Sequence, residues 1–416
     1  MNSIATNEQQ TFEKRSSLSS RWAKTIFTKL ISHIHYGQIV LLDGEQADVF
    51  GDDDKMSVHI TVLDPRFYTR VLLGGSIGAG EAYVENFWKV DDLTMLVQIM
   101  ARNMTLLDKL EQKFFWVYQP FRILKHKFNH NSKVGSKKNI ISHYDLGNEM
   151  YHSFLDPTMM YSSAMYPSKT SSLEEASIHK LETICNKLDL QPSDKVIEIG
   201  SGWCGFAIYA AGKYNCHVTT VTISDAQYQE GKKRIEEAGL SEKITLLKKD
   251  YRDLTGQYDK LVSIEMIEAV GHRYHPQFFS KCNDLLKVNG TMLLQAITIR
   301  DQVYEQYVKN VDFIQRHIFP GGCLPSNNRM FQLISSETDM VVRQLDDFGF
   351  DYARTLRDWR HRFNQSFSGL MNKGYDERFK RLWNFYLAYC EGGFLERAIS
   401  VVHLVAARPD NRKVMN

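Results

Sequence analysis

Lys195 to Asn215 reads KVIEIGSGWCGFAIYAAGKYN, and this stretch decides the fold. KVIEI is a short apolar run with the length of a buried strand, and GFAIYAAGKYN has the length and spacing of a helix. Between them lies Gly200-Ser201-Gly202-Trp203-Cys204-Gly205. Glycines at this junction permit a tight turn and let a ligand approach backbone N–H groups. The GxGxxG spacing alone is shared by nicotinamide, flavin and other nucleotide-cofactor proteins, and by turns that only pack closely.

The flanking residues narrow the choice. Glu198, two places before the first glycine, puts a carboxylate at the strand's end, which suits a sulfonium amino acid better than a pyrophosphate. The next strand, HVTTVTIS, ends in Thr222-Ile223-Ser224-Asp225, with hydroxyl groups where an adenosine ribose would lie. Together these favour S-adenosylmethionine. Asp225, about 20 residues beyond the glycines, keeps a dinucleotide dehydrogenase open at this point.

Outward from this centre, strands and helices alternate as in a parallel sheet. Ser171 and Ser172, followed three places on by Glu174 and Glu175, form a capping-box start for the helix SLEEASIHKLETICNKL. Past the glycines come the helix DAQYQEGKKRIEEAGL and the strands KITLLKKD and DKLVSIEM. The helix PQFFSKCNDLLKV and the strand GTMLLQAI follow, then two long helical stretches beyond Phe348 and a final apolar run, AISVVHLVAA. LLKVNGTMLLQ, a helix end, glycine turn and strand, has the form of the later half of a class I methyltransferase. Upstream, VHITV reads as a strand ended by Asp64-Pro65, inside a small α+β domain over 21–124. Residues 1–20 read as a flexible tail. Residues 125–139, with five lysines, two histidines and no acid, read as a basic linker.

The 416 residues allow two domains, and 43% hydrophobic with 12% aromatic residues is the profile of packed domains. A net charge of +2 argues against nucleic acid as a partner. The six cysteines lack CxxC spacing, which argues against structural zinc and for a reducing, cytoplasmic setting. His143, His272 and His275 lack the spacing of helix-face metal ligands, so no metal is expected. No window holds the roughly 18 apolar residues of a membrane span.

Over most of its length the chain resembles the cyclopropane-fatty-acid and mycolic-acid cyclopropane synthases. The blocks that carry the resemblance are GEAYVENFW, HYDLGNEMYHSFLDPTMMYSSAMY, VIEIGSGWCGFA, VTISDAQ, DYRDL, VSIEMIEAVG, HIFPGGCLPS and ERFKRLWNFYLAYC, in that order. The resemblance implies a Rossmann-like class I methyltransferase domain over 140–416, with a mostly parallel seven-stranded sheet, helices on both faces and lipid-site insertions. It implies methyl transfer from S-adenosylmethionine to the cis double bond of an unsaturated phospholipid acyl chain, closing a cyclopropane ring. It assigns cofactor contacts to Tyr161, Ser162, Gly200, Gly202, Thr222, Gln227, Asp250 and Tyr251, which join Glu198 from the reading above. Asp250 would accept from the adenine amine and Tyr251 would stack on the ring.

A carbocation left by methyl transfer must lose a proton, and in the family a bound bicarbonate is the base. Glu268, Gln295, Ile297 and Tyr352, with backbone near Ser163, match its cradle. Ser163 and Gln295 stand where the better-known synthases have cysteine and histidine. The outcome therefore stays open between ring closure and C-methylation without it, and a non-catalytic lipid-binding paralogue is a third reading. A peripheral position on the inner face of the membrane, and a homodimer, complete the expectations.

Overall fold

The computed structural model describes residues 18–104 and 147–412, so the basic linker, His143 and most of the expected tail lie outside the described residues. These residues form two compact units, one from 18–104 with 367–396 and the other from 147–366 with 397–412.

The first unit holds a four-stranded sheet of β1 (Gln38–Asp43), β2 (Gln46–Phe50), β3 (Ser57–Val62) and β4 (Trp88–Val90), in the order β2-β1-β3-β4. In β3 the alternation read from the sequence holds, with Val58, Ile60 and Val62 buried. Asp64 ends that strand by accepting a hydrogen bond from the Arg66 backbone N–H at 2.9 Å, and a helix starts at Arg66. The helix Glu377–Leu395, expected in the methyltransferase domain, packs in this unit instead. Glu391 accepts a buried hydrogen bond from Thr94 at 3.0 Å, and a Cβ at Gly392 would stand 2.6 Å from the Val97 side chain. Only glycine allows that approach.

The second unit is built on the expected seven-stranded sheet: β5 (Lys195–Ile199), β6 (His217–Thr222), β7 (Ile244–Lys248), β8 (Tyr258–Ile264), β9 (Leu286–Ile299), β10 (Val341–Asp347) and β11 (Ile399–Ala407). Their order is β10-β11-β9-β8-β5-β6-β7. β11 runs antiparallel to both neighbours, and the other pairings are parallel. This is the α/β class I methyltransferase architecture. The final apolar run is thus an interior strand, and β10, unmarked in the sequence reading, is the edge beside it.

Period-two alternation sends apolar side chains to both faces. Ile197, Ile199, Leu294 and Leu404 pack with Phe278, Phe279, Met330 and Leu333 on one side. Val196, Val218, Leu293 and Val405 pack with Leu181, Ile184, Phe206 and Ala207 on the other. The helix Leu173–Leu188 starts with the expected capping box, Ser172 accepting from the Glu175 N–H at 3.2 Å while Glu175 accepts from the Ser172 N–H at 2.7 Å. The carboxyl ends of the parallel strands around β5 and β8, where the strand order reverses, form the edge at which such sheets bind ligands.

Candidate active site

The turn after β5 is shaped by its glycines in three ways. Gly200 takes φ +94 and its N–H donates to Val221 O at 3.2 Å. At Gly202, with φ +48, an added Cβ would meet nothing within 4 Å, so the turn faces open space there. At Gly205 a Cβ would stand 2.4 Å from Thr158 O, so the helix Gly205–Tyr214 can start against that loop only without a side chain.

Glu198, at the end of β5, is buried and accepts from the Thr220 hydroxyl at 2.5 Å. Burial pushes its carboxyl up to about 8. A buried carboxylate with one neutral donor is poised for a cationic ligand. The Thr222 hydroxyl donates to Gln227 Oε1 at 2.8 Å and accepts from the Ser224 N–H at 3.1 Å. Tyr161 lies among aromatic rings, 5.2 Å from Tyr151 and 5.2 Å from Trp359 between centroids. Ser162 accepts from Lys180 Nζ at 2.7 Å.

Asp250 and Tyr251, the expected adenine contacts, each have a neighbour of their own. Asp250 holds Arg252 in a two-point pair, at 2.9 and 2.7 Å. The Tyr251 ring meets Phe278 edge to face at 5.7 Å.

Ser163, Gln295 and Tyr352 do converge, and what they converge on is Glu265, a residue the sequence reading passed over. Its Oε1 accepts from the Ser163 backbone N–H at 2.9 Å and from Gln295 Nε2 at 2.8 Å. Its Oε2 accepts from the Tyr352 hydroxyl at 2.7 Å. The Ser163 hydroxyl points elsewhere, to Ala164 O. Glu268 lies alongside, accepting from the Ile297 N–H at 2.5 Å, with its other oxygen buried and unpartnered. Burial, and then the Glu265 charge, push Glu268 up to about 8. Burial also raises Glu265, opposed by the Tyr352, Ser163, Lys180 and Gln295 contacts.

Gln295 is oriented from behind. Lys187 pairs with Asp346 at 2.5 Å and lies 3.0 Å from His403 Nδ1. An ammonium only donates, so Nδ1 accepts and Nε2–H is left to donate to Gln295 Oε1, 2.9 Å away. The amide nitrogen therefore faces Glu265. Burial, and then Lys187, hold the His403 pKa well below its ordinary value, so the ring is neutral.

Glu265, His403 and Lys180 were missed for different reasons. Lys180 is on the buried helix stripe with Leu173, Ser177 and Ile184, a spacing that a helical projection shows. His403 is an isolated polar residue in the apolar run Val401–Ala407. Glu265 carried a signal of its own, a second carboxylate three residues before Glu268 at a strand's end. Among the described residues no three His, Cys, Asp or Glu side chains are grouped to hold a metal. His272 lies within hydrogen-bond distance of the Tyr304 hydroxyl, 2.8 Å, and burial pushes His275 down to about 3.

The family model described as mycolic acid cyclopropane synthetase matches residues 131–404. The cyclopropane-fatty-acyl-phospholipid synthase of Escherichia coli (strain K12) is 38% identical over 351 residues, covering 84% of this chain and 87% of that protein. The tuberculostearic acid methyltransferase UfaA1 of Mycobacterium tuberculosis is 35% identical over 328 residues, 77% of this chain and 76% of its own length. A crystal structure of mycolic acid cyclopropane synthase CmaA1, complexed with SAH and CTAB, superposes with a TM-score of 0.61 at 28% identity, covering 65% of this chain and 98% of that one.

Proposed function

We propose, from the premise that the chain belongs to the mycolic acid cyclopropane synthetase family, that it transfers a methyl group from S-adenosylmethionine to the cis double bond of an unsaturated phospholipid acyl chain and closes a cyclopropane ring. The observation that carries the reading is the pairing, at one sheet edge, of a cation-seeking carboxylate with a second carboxylate centre lined by aromatic rings. Glu198 stands beside the glycine turn, and Glu265 is held by Tyr352, whose ring lies 6.1 Å from Trp359.

The residues fit S-adenosylmethionine, which supplies an electrophilic methyl on a sulfonium. Gly202 leaves the turn open to it, Gly200 turns the backbone at φ +94, and the buried Glu198 carboxyl, once ionised, can pair with its cationic amino acid part. The Tyr352, Trp359 and Tyr161 faces offer π density to positive charge developing on carbon. Bicarbonate, in contrast, does not fit the cradle assigned to it. Its expected donors are engaged by Glu265, and an added anion would join two buried carboxyl groups with Lys180 as the nearby cation. No step is derived through it.

C-methylation without ring closure is the second reading, because a relative nearly as similar as the Escherichia coli synthase is named a tuberculostearic acid methyltransferase. Proton NMR and mass spectrometry of lipids from cells expressing the protein separate the two. A high-field cyclopropane signal supports ring closure, and a branched methyl without it supports the second.

Contact with the inner face of the membrane is part of the same proposal, and among the described residues no helix is long and apolar enough to cross a bilayer. Co-sedimentation with vesicles tests that contact, and light scattering tests the proposed homodimer.

A further inference from the structure

A carboxylate and a bicarbonate present the same pair of oxygens on a planar carbon, so the donors that cradle one also cradle the other. Here the Ser163 N–H, the Gln295 amide and the Tyr352 hydroxyl all close on Glu265, at 2.9, 2.8 and 2.7 Å. The chain adopts an uncommon backbone to bring it there: Glu265 has φ +50, in the left-handed region that glycine tolerates and other side chains rarely enter. Its own N–H is fixed on Gln295 O at 2.8 Å. Non-glycine residues held so are found where surrounding contacts over-determine them, often at functional sites.

We propose that the Glu265 carboxylate is the base of the reaction, built into the chain in place of a bound bicarbonate. The proposal rests on the methyl transfer to an alkene set out above. In that step the alkene π pair forms a bond to the methyl carbon, the S–CH3 bond breaks to leave S-adenosylhomocysteine, and the second alkene carbon becomes cationic. A C–H bond of the new methyl group then breaks. Its proton goes to a Glu265 oxygen, and its electron pair closes the three-membered ring on the cationic carbon. The proton passes to solvent as product leaves. Ser163, Gln295 and Tyr352 act as positioning residues, with Lys187 and His403 fixing which end of the Gln295 amide faces the base.

The test uses the full-length protein with S-adenosylmethionine and vesicles of unsaturated phospholipid, in buffer stripped of carbon dioxide and again with bicarbonate restored. The parent enzyme turns over equally in both. Glu265→Gln keeps the shape, removes the base and loses at least about 100-fold in rate, the scale of general-base catalysis. Glu265→Gly suits the positive φ, leaves a carboxylate-sized gap and regains activity when bicarbonate is added. 13C-labelled bicarbonate gives a bound NMR signal with Glu265→Gly and none with the parent. Unchanged S-adenosylhomocysteine affinity by calorimetry shows that both variants are folded.

The proposal is overturned if the parent slows on stripping and recovers with bicarbonate, if the parent binds labelled bicarbonate at this site, or if Glu265→Gln turns over at the parent rate. Absence of any lipid product from the parent would overturn the alkene reading itself. The labelled-bicarbonate measurement would still decide what occupies the cradle.

Discussion

At the scale of single residues, the site stores carboxyl groups away from water and so couples ligand binding to protons. Burial, which disfavours its charge, pushes the Glu198 carboxyl up to about 8. A cationic ligand prefers the ionised form. Below that pH, binding S-adenosylmethionine must expel a proton, so affinity should rise with pH toward about 8 and then level. Calorimetry in buffers of different ionisation enthalpy should detect the released proton, and Glu198→Gln should bind more weakly and without that release. Equal proton release by the variant would remove Glu198 from the cofactor site.

The same groups set a stability trend. The folded pKa values of Glu198 and Glu268 lie near 8, above the ordinary 4.5, so their contribution is fully present below about 4.5 and is lost as pH rises through about 8. The loss is on the order of 1.4 kcal/mol per pH unit per group within that window. Melting temperature of the ligand-free protein should fall from about pH 5 to 8 relative to a Glu198→Gln, Glu268→Gln double variant. Parallel curves would show that these carboxyl groups titrate normally. Glu198 was legible in the sequence because a strand and a glycine turn bracket it. Glu265 showed only its place three residues before Glu268, because the contacts that define it come from Ser163, Gln295 and Tyr352, each distant in the chain.

At the scale of elements, several local signals were read correctly, whereas LLKVNG, read as a helix end and glycine turn, is where the helix stops at Leu285 and β9 already begins at Leu286. The capping box at Ser172, the strand–turn–helix at 195–214 and the Asp64 stop all formed where the sequence places them. β10 escaped because an edge strand shows weak alternation: in VVRQLDD no residue is fully buried. The antiparallel entry of β11 between β9 and β10 depends on nonlocal pairing that no local pattern encodes. Close approach between elements is likewise visible only in three dimensions. Gly205 is tolerated at φ values open to any residue, yet its Cβ position lies 2.4 Å from Thr158 O. Gly205→Ala should therefore cost about 1–3 kcal/mol and weaken cofactor binding by shifting the turn, whereas Gly212→Ala, where the nearest atom is 3.7 Å away, should be nearly neutral or stabilising. Equal denaturation midpoints for the two variants would show that this contact is not tight.

At the scale of the whole molecule, the α/β class was legible from alternation alone, while the partition of the chain was not. The helix Glu377–Leu395 reads as a continuation of the catalytic domain, yet its buried face is completed by residues 93–102, nearly 300 positions away. What the assembled catalytic unit does with the transferred carbon is the remaining question, and isotope counting answers it. A held carboxylate next to the reacting centre can take its proton either from the incoming methyl group or from a carbon of the chain. Ring closure requires the first, because the new bond is formed by the electron pair of a methyl C–H. With a donor whose methyl is fully deuterated, a cyclopropane product then carries two deuterons and the third is lost. Deprotonation from the chain keeps all three in a branched methyl. The first outcome is expected, since Glu265 is fixed on both oxygens by three donors and has no freedom to swing along the chain. A Gln295→Leu variant, which frees one of those oxygens, should slow turnover and raise the share of product retaining three deuterons. Mass spectrometry of the released acyl chains reads both quantities. Full retention by the parent enzyme would leave the methyl transfer standing and assign the second reading, methylation without a ring.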